Sequence, residues 1–406
     1  MTGDNYADAS RSDARGRTDD SGRLAPGMLP GGDGTPLADV TVLELGHIVA
    51  GPFCSMVLAD LGAEVIKVEH PEGGDSIRDS SPVGASSFNY VNRNKLGVTL
   101  DLKSEDGQAV FDDLVAEADV LVENFASGTA DRLGVGYDDL SEVNEELVYC
   151  SIKGFNEGPY EEYPALDPVA EALSGLMSVT GHEGQPPVRS GTSLADMAAS
   201  LYAAVTVLGA VRQRDATGEG QHVTVPLFES TVSLMGYWLA YTQAYDDVPE
   251  PLGAGHPNWA PYDVFESADD DWVFVGPSSD RQWRQSCEAL GVDLHEDARF
   301  ETLADRRQHR DALNDAFGEA CGQFETPELL DRLAAPRPGG ARQRHGGRLR
   351  RPAPRSDRRA RRSDRGDRAR QGPRGRRLRL PLDVLRRLGE TPRRRHRGVR
   401  RLVAGG

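Results

Sequence analysis

Residues 38–70, ADVTVLELGHIVAGPFCSMVLADLGAEVIKVEH, decide the fold class. ADVTVLELG is a short apolar, β-branched run that reads as a buried strand. GPFCSMVLADLGA has helical apolar spacing, and AEVIKVEH is a second strand. The alternation continues outward with GVTLDL as a strand and SEDGQAVFDDLVAEA as an amphipathic helix, followed by the strands DVLVENF and LVYCSIKGF. Strands regularly interleaved with helices predict βαβ units and a Rossmann-like α/β domain, its parallel sheet covered on both faces. Such sheets place ligands at the carboxyl ends of their strands. The segments GHIVAGP, VENFASG and IKGFNEG fall at that end.

Beyond the sheet, residues 167–245 read as mainly helical, with SLADMAASLYAAVTVLGAVRQR as the strongest helix. GQHVTVPLF is then a strand and ESTVSLMGYWLAYTQAY a further helix. After a Gly- and Pro-rich link, DDDWVFVGP and DRQWRQSCEALG predict a smaller α+β domain. The expected organisation is a disordered segment over 1–36, a large domain over 37–225, a linker helix and small domain over 226–335, and an Arg-rich tail over 336–406. Residues 1–36 carry too few apolar side chains to bury a face, and Met28 is an alternative start. No apolar run stands out as membrane-spanning, and the N-terminus lacks a secretory pattern, so a cytoplasmic protein without a membrane partner is expected. The four cysteines form no CxxC pair and the nine histidines no ligand pattern, which predicts buried thiols and no metal.

The net charge of −17 conceals two opposite regions. From Pro336 to Gly406 there are 26 arginines, no lysine and 5 acidic residues. The remainder holds 21 basic and 59 acidic residues, and the whole chain has only the lysines Lys67, Lys95, Lys103 and Lys153. An acidic, lysine-poor globular sequence fits adaptation to high salt, where self-repulsion is screened. It also makes each cation within a motif informative.

No P-loop, GxSxG, HExxH or GxGxxG motif occurs. The stretch LELGHIVAGPFCSMVLADLGAEVIKVEHPEGGDSIR instead resembles the opening of the family III CoA-transferases, the group that includes formyl-CoA transferase, carnitine CoA-transferase and α-methylacyl-CoA racemase. The resemblance continues in order through NRNKLGVTLDLKSEDG, DVLVENFASGTADRLGVGYDDL, YCSIKGFNEGPY, ALDPVAEALSGLMSVTG, GTSLADMAASLYAAVTVLGAVRQRDATGEGQHVTVPLFES and GHPNWAPYDVF, over about residues 38–335. It implies the family fold, an acyl-CoA thioester and a small carboxylic acid as substrates, no permanently bound cofactor, and an interlocked homodimer.

By the same resemblance the nucleophile is Asp196, in GTSLADMAAS. An acid there is also what an ordinary helix N-terminus carries. The implied chemistry is attack of the carboxylate on the donor thioester to give a mixed anhydride, then an aspartyl-CoA thioester, then the reverse sequence with the acceptor acid. CoA would contact Val49 and Ala50, the turn Leu100-Asp101-Leu102-Lys103, and Asn124, Phe125 and Arg132, the last as phosphate partner. Where formyl-CoA transferase has a phosphate-pairing arginine this chain has His70. The active-site loop would be Gly253-Ala254-Gly255, thinner in glycine than its counterpart and also readable as an interdomain link.

Two other functions compete. The racemase branch uses the aspartate with a histidine whose position is occupied here by Leu166, which shuttles no proton. A nucleic-acid binder would rest on the arginine tail alone, which lacks lysine, interleaved aromatics and motif structure. The tail is better read as a translation out of frame. Its charge reverses abruptly after Ala335, and GAC codons read one base off become CGA, turning aspartate into arginine. Shifting the tail's codons by one base permits Val-Pro-Ala-Ala-Pro and Asp-Asp-Pro-His-Leu, which resemble family segments.

Overall fold

The computed structural model describes residues 35–78, 80–334 and 346–349. The expectations for residues 1–34 and for most of the tail lie outside these residues. The described chain divides into two compact units. The large unit comprises 35–177 and 189–247, and the small unit 178–188 and the residues from 248 onward. The two helices after the sixth strand, expected with the small domain from residue 226, therefore belong to the large unit.

In the large unit, strands β1 (Thr41–Glu44), β2 (Glu64–Glu69), β3 (Lys95–Thr99), β4 (Val120–Glu123), β5 (Val148–Lys153) and β6 (Gln221–Pro226) form one sheet in the order β3-β2-β1-β4-β5-β6. Every pair is parallel. The order reverses between β1 and β4, whose register sets Val42 beside Val120. This is the switch point at which such sheets bind ligands.

The helices are α1 (Ala50–Asp60), α2 (Pro82–Val91), α3 (Glu105–Val115), α4 (Thr129–Arg132), α5 (Tyr137–Val143), α6 (Asp167–Leu173), α7 (Leu194–Thr217), α8 (Leu227–Leu234) and α9 (Gly236–Tyr245). Successive strand residues point to opposite faces. Val42, Val120 and Val148 pack with Cys54 and Leu58 of α1 and with Ala195, Ala199, Ala203 and Val207 of α7. Leu43, Leu121 and Tyr149 pack with Phe111 and Leu114 of α3 on the other face. Sequence periodicity foresaw one helix over 229–245, but the chain breaks it at Met235 into α8 and α9.

Helix α7 corrects the expectation about membrane-length runs. Its 24 residues are long and apolar enough by length and composition to cross a bilayer. Half of its most apolar window is buried, and the alanines at 195, 199 and 203 pack into the large unit's core. Those small side chains let α7 lie close to α1, so the buried half of its apolarity serves the core.

The small unit joins β7 (Asp263–Glu266), β8 (Trp272–Val275) and β9 (Gly346–Leu349) in an antiparallel sheet. Helices α10 (Asp280–Leu290), α11 (Leu303–Gln308), α12 (Arg310–Cys321) and α13 (Thr326–Ala334) complete it. Its core is built on Phe265, Trp283, Phe300 and Phe317. Strand β9 lies within the Arg-rich tail. Backbone pairing with β8 needs no alternating side-chain pattern, so periodicity gave no sign of it.

Candidate active site

The carboxyl end of β1 runs into Gly46-His47-Ile48-Val49 before α1 begins at Ala50. No side chain caps α1. The carboxyl end of β4 runs into Asn124-Phe125. Asn124 bridges the two segments across the switch point: its Oδ1 accepts the His47 N–H at 2.8 Å and its Nδ2 donates to the His47 carbonyl at 3.0 Å. The amide expected to contact CoA is thus engaged by the protein itself. His47 stacks on Phe125 with ring centroids 5.8 Å apart.

Each of these segments stands on a buried glutamate. Glu44 ends β1, fully buried, and pairs with Lys67 Nζ at 2.8 Å and Lys95 Nζ at 2.6 Å. Burial opposes its ionisation, but Lys95 and Lys67 hold its carboxyl below the ordinary range. Lys67 also donates to the Gly46 carbonyl at 2.6 Å. Glu123 ends β4, also fully buried, and pairs with Lys153, which donates to the Phe125 carbonyl at 3.1 Å. Three of the four lysines are therefore committed to bracing. Lys103, exposed, is the lysine without an ion pair among the described residues.

Asp196 lies in the first turn of α7. Asp167, from the start of α6, accepts the N–H groups of Ala195 at 2.9 Å and Asp196 at 3.3 Å. The helix is thus capped by a residue far away in sequence, and Ser193 at its N-cap makes no side-chain capping bond. Capping does not account for Asp196, whose carboxylate accepts no hydrogen bond from the described residues. Burial, then the charge of Asp167, push its carboxyl up to about 7, against the opposing pull of Arg189. The Ser200 hydroxyl lies 2.7 Å from the Ala50 carbonyl and 2.6 Å from that of Asp196, joining the first turn of α7 to the start of α1. Sequence reasoning did not single out Asp167 as a site residue. The signal available was an acid beginning a helix, which fits capping of its own helix equally well.

The remaining expected CoA contacts gather elsewhere in the large unit. Leu102, Lys103, Arg132, Gln108 and Gly134 help line an open cleft of about 660 Å³. Gln108 braces it by donating to the carbonyls of Leu102 and Leu133. Arg132, exposed, donates to Thr129 Oγ1 at 2.7 Å and leaves the rest of its guanidinium facing solvent. Glu105 and Asp112 share the lining, so Lys103 and Arg132 are the groups suited to phosphate. Asp101 turns this segment by accepting the Lys103 N–H, and Leu100 is buried beneath it. His70 is exposed and closes a local turn with Glu72.

Gly253, Ala254 and Gly255 belong to the small unit. Gly253 has φ +62° and donates to the Gly181 carbonyl at 2.7 Å. A Cβ at that position would meet the His182 ring at 2.6 Å, so glycine is required by space as well as by conformation. Arg310 grips the carbonyls of His256, Pro257 and Trp259, anchoring the following chain.

Comparison with known proteins places this arrangement. The family model described as CoA-transferase family III matches residues 37–344, running past the break expected after Ala335. An acetyl-CoA:oxalate CoA-transferase of Acetobacter aceti is 37% identical, the match covering 73% of this chain and 77% of that protein. A succinyl-CoA:mesaconate CoA-transferase of Haloarcula hispanica is also 37% identical, over 73% and 78%. The crystal structure of a CAIB/BAIF family protein from Brucella suis is 36% identical with a TM-score of 0.69, covering 74% of this chain and 82% of that one.

Proposed function

Because the chain belongs to the family III CoA-transferases, we propose that it moves CoA between small carboxylic acids through a covalent relay on Asp196. The observation that carries this reading is the Asp196 carboxylate itself: half-buried, without a hydrogen bond from the described residues, and raised to about 7. A carboxylate raised to that range is more nucleophilic than an ordinary one, yet substantially ionised at neutral pH. Asp196 attacks the donor thioester carbonyl, CoA leaves as thiolate, and a mixed anhydride remains. The thiolate then attacks the aspartyl carbonyl, releasing the donor acid and leaving Asp196 as the CoA thioester. The acceptor carboxylate attacks that thioester and the steps run in reverse. Backbone N–H groups at the uncapped start of α1, with Val49 and Ala50, are the donors for the oxyanion.

CoA phosphates are assigned to Lys103 and Arg132. A small dicarboxylic acid such as succinate or mesaconate is the proposed acyl group, supported by the relatives' reactions and by the acidic, lysine-poor composition. The raised Asp196 would also serve proton transfer, but Leu166 stands where the racemase branch has its histidine. A homodimer completes the reading. Helix α9 carries Tyr237, Trp238, Leu239, Tyr241 and Tyr245 and buries none of its residues. Leu201 and Val205 of α7 are 47% and 67% exposed. Apolar surface on this scale needs a cover, and a second copy is the cover proposed.

The test is hydroxylamine trapping during turnover with a panel of acyl-CoAs and free acids, read by peptide mass. A hydroxamate on Asp196 is expected. A label on another carboxylate, or turnover with none, would overturn the assignment. Light scattering in high salt should give a dimer, and a folded, active monomer would remove that part.

A further inference from the structure

Ile48 has φ +66°, in the left-handed region that a β-branched residue avoids. Such a conformation is strained and persists only where its surroundings enforce it. Burial does not repay it, because Ile48 is 39% exposed. The enforcing group is Asp75, which is itself buried. Its two carboxylate oxygens lie 3.1 and 3.3 Å from the Ile48 nitrogen. Asp75 is fixed in turn by Lys67 Nζ at 3.2 Å and by the Ile77 N–H at 3.1 Å. Lys67 is the same side chain that holds the Gly46 carbonyl and Glu44. From Gly46 to Ile48 the backbone is thus held at every residue, with Asn124 on His47 between them.

The strained residue comes two positions before Ala50, where the uncapped α1 begins. Ser200 ties Ala50 to the turn that carries Asp196. We propose that Asp75 is a positioning residue for acyl transfer: it holds Ile48 in the left-handed conformation that presents the N–H groups at the start of α1 beside Asp196. The inference rests on the proposed role of Asp196, and it adds a residue that acts through the backbone of Ile48. Sequence alone gave it no prominence beyond its place at the end of the stretch LELGHIVAGPFCSMVLADLGAEVIKVEHPEGGDSIR.

The test exploits glycine, which adopts positive φ at no steric cost. Asp75→Ala should lower kcat about tenfold or more while leaving KM for the acyl-CoA within about threefold, the tenfold being about 1.4 kcal/mol of transition-state stabilisation. Asp75→Asn retains an acceptor for the Ile48 N–H and should lose less. Ile48→Gly introduced into Asp75→Ala should restore most of the lost kcat, a rescue that general destabilisation would not give. Equal kcat in wild type and folded Asp75→Ala, or a loss in Asp75→Ala that Ile48→Gly leaves unchanged, overturns the proposal. If Asp75→Ala does not fold, the same comparison is made with Asp75→Asn and the double variant Asp75→Asn/Ile48→Gly. The rate of CoA adduct formation on Asp196, followed by peptide mass, separates the two ideas. Absence of the adduct in wild type refutes the nucleophile, whereas adduct formation at the wild-type rate in Asp75→Ala refutes the positioning role.

Discussion

The two units differ most in how many charged side chains they bury beside their rings. The small unit buries rings: Trp283, Phe300 and Phe317 are among its most enclosed side chains, and its buried cation, Arg306, is spent on the carbonyls of Ala260, Phe300 and Glu301 and on Asp280. The large unit buries rings as well, Phe111 and Tyr149 among them, but adds a larger set of ionisable side chains, Glu44, Lys67, Asp75, Glu123, Asp167 and Glu171, where the small unit has Arg306 and Asp271. Burying an ion pair seldom adds stability over an apolar pair of the same shape. Those charges therefore point to a need other than stability, and Glu44, Lys67 and Glu123 sit at or beside the strand ends that carry the proposed chemistry. Aromatic packing makes a unit stay folded, while the buried charges hold particular peptide groups in particular directions.

The strongest way to break this comparison is at Asp196. Asp196→Asn should reduce transfer about a thousandfold or more, as expected for a covalent nucleophile. It should also be more stable than wild type at pH 8. The sign follows from the raised carboxyl. Between about pH 4, the ordinary range, and about 7, the folded protein holds a proton that the unfolded chain has lost, so wild-type stability falls as pH rises through that window. Removing the ionisable group removes that loss, by on the order of 1–3 kcal/mol above pH 7 and by nothing below pH 4. Thermal melts at pH 4 and pH 8 check it, and a variant less stable at both would show that the carboxylate is not under strain.

A matched pair of variants sharpens the contrast between units. Lys153→Met leaves the fully buried Glu123 without its cation, at about 3–5 kcal/mol. Phe317→Ala in the small unit costs about the same by emptying the ring's space. Measured under conditions where both are folded, only Lys153→Met should lose activity per folded molecule, because it also frees the Phe125 carbonyl. Equal specific activities would mean that the Glu123–Lys153 pair is scaffolding alone.

Asp167→Asn gives a smaller effect on the same site. The amide still accepts the Ala195 N–H but no longer repels charge on Asp196. The acid limb of the pH–rate profile, placed near 7 in wild type by the Asp196 carboxyl, should move down. An unmoved limb would assign the raised value to burial alone.

Much of this was legible in the chain. The βαβ alternation of residues 39–155 follows from period and length, and the sheet appears where expected. Asp196 was singled out only through the resemblance of its surroundings, because an acid in a first helical turn is ordinary by itself, and its role stands as a proposal. What stayed hidden was long-range: Asp167 capping α7 across 28 residues of sequence, Asp75 holding Ile48 across 27, and Asn124 braced on His47 across 77. No local pattern encodes which distant carboxylate meets which N–H. Helix α9 was legible as a helix, but its lack of any buried residue shows only once the unit is assembled.

The smallest expected effect lies at the cleft, where both partners are exposed. Arg132→Ala should raise KM for the acyl-CoA about five- to tenfold, near 1 kcal/mol, with kcat little changed. An exposed guanidinium facing phosphate in water contributes mainly ground-state attraction, which salt weakens. The ratio of mutant to wild-type KM should therefore shrink as salt is raised from 0.1 to about 1 M, where the screening length falls to about 3 Å. The control is Arg332→Ala in the small unit, an exposed arginine paired four residues away with Glu328, which should change neither KM nor its salt dependence. If Arg132→Ala behaves like Arg332→Ala at low salt, the cleft is not where the phosphates sit. If the ratio persists undiminished at high salt, Arg132 acts by shape and hydrogen bonding more than by charge, and its fork would then be held more rigidly than its bond to Thr129 provides.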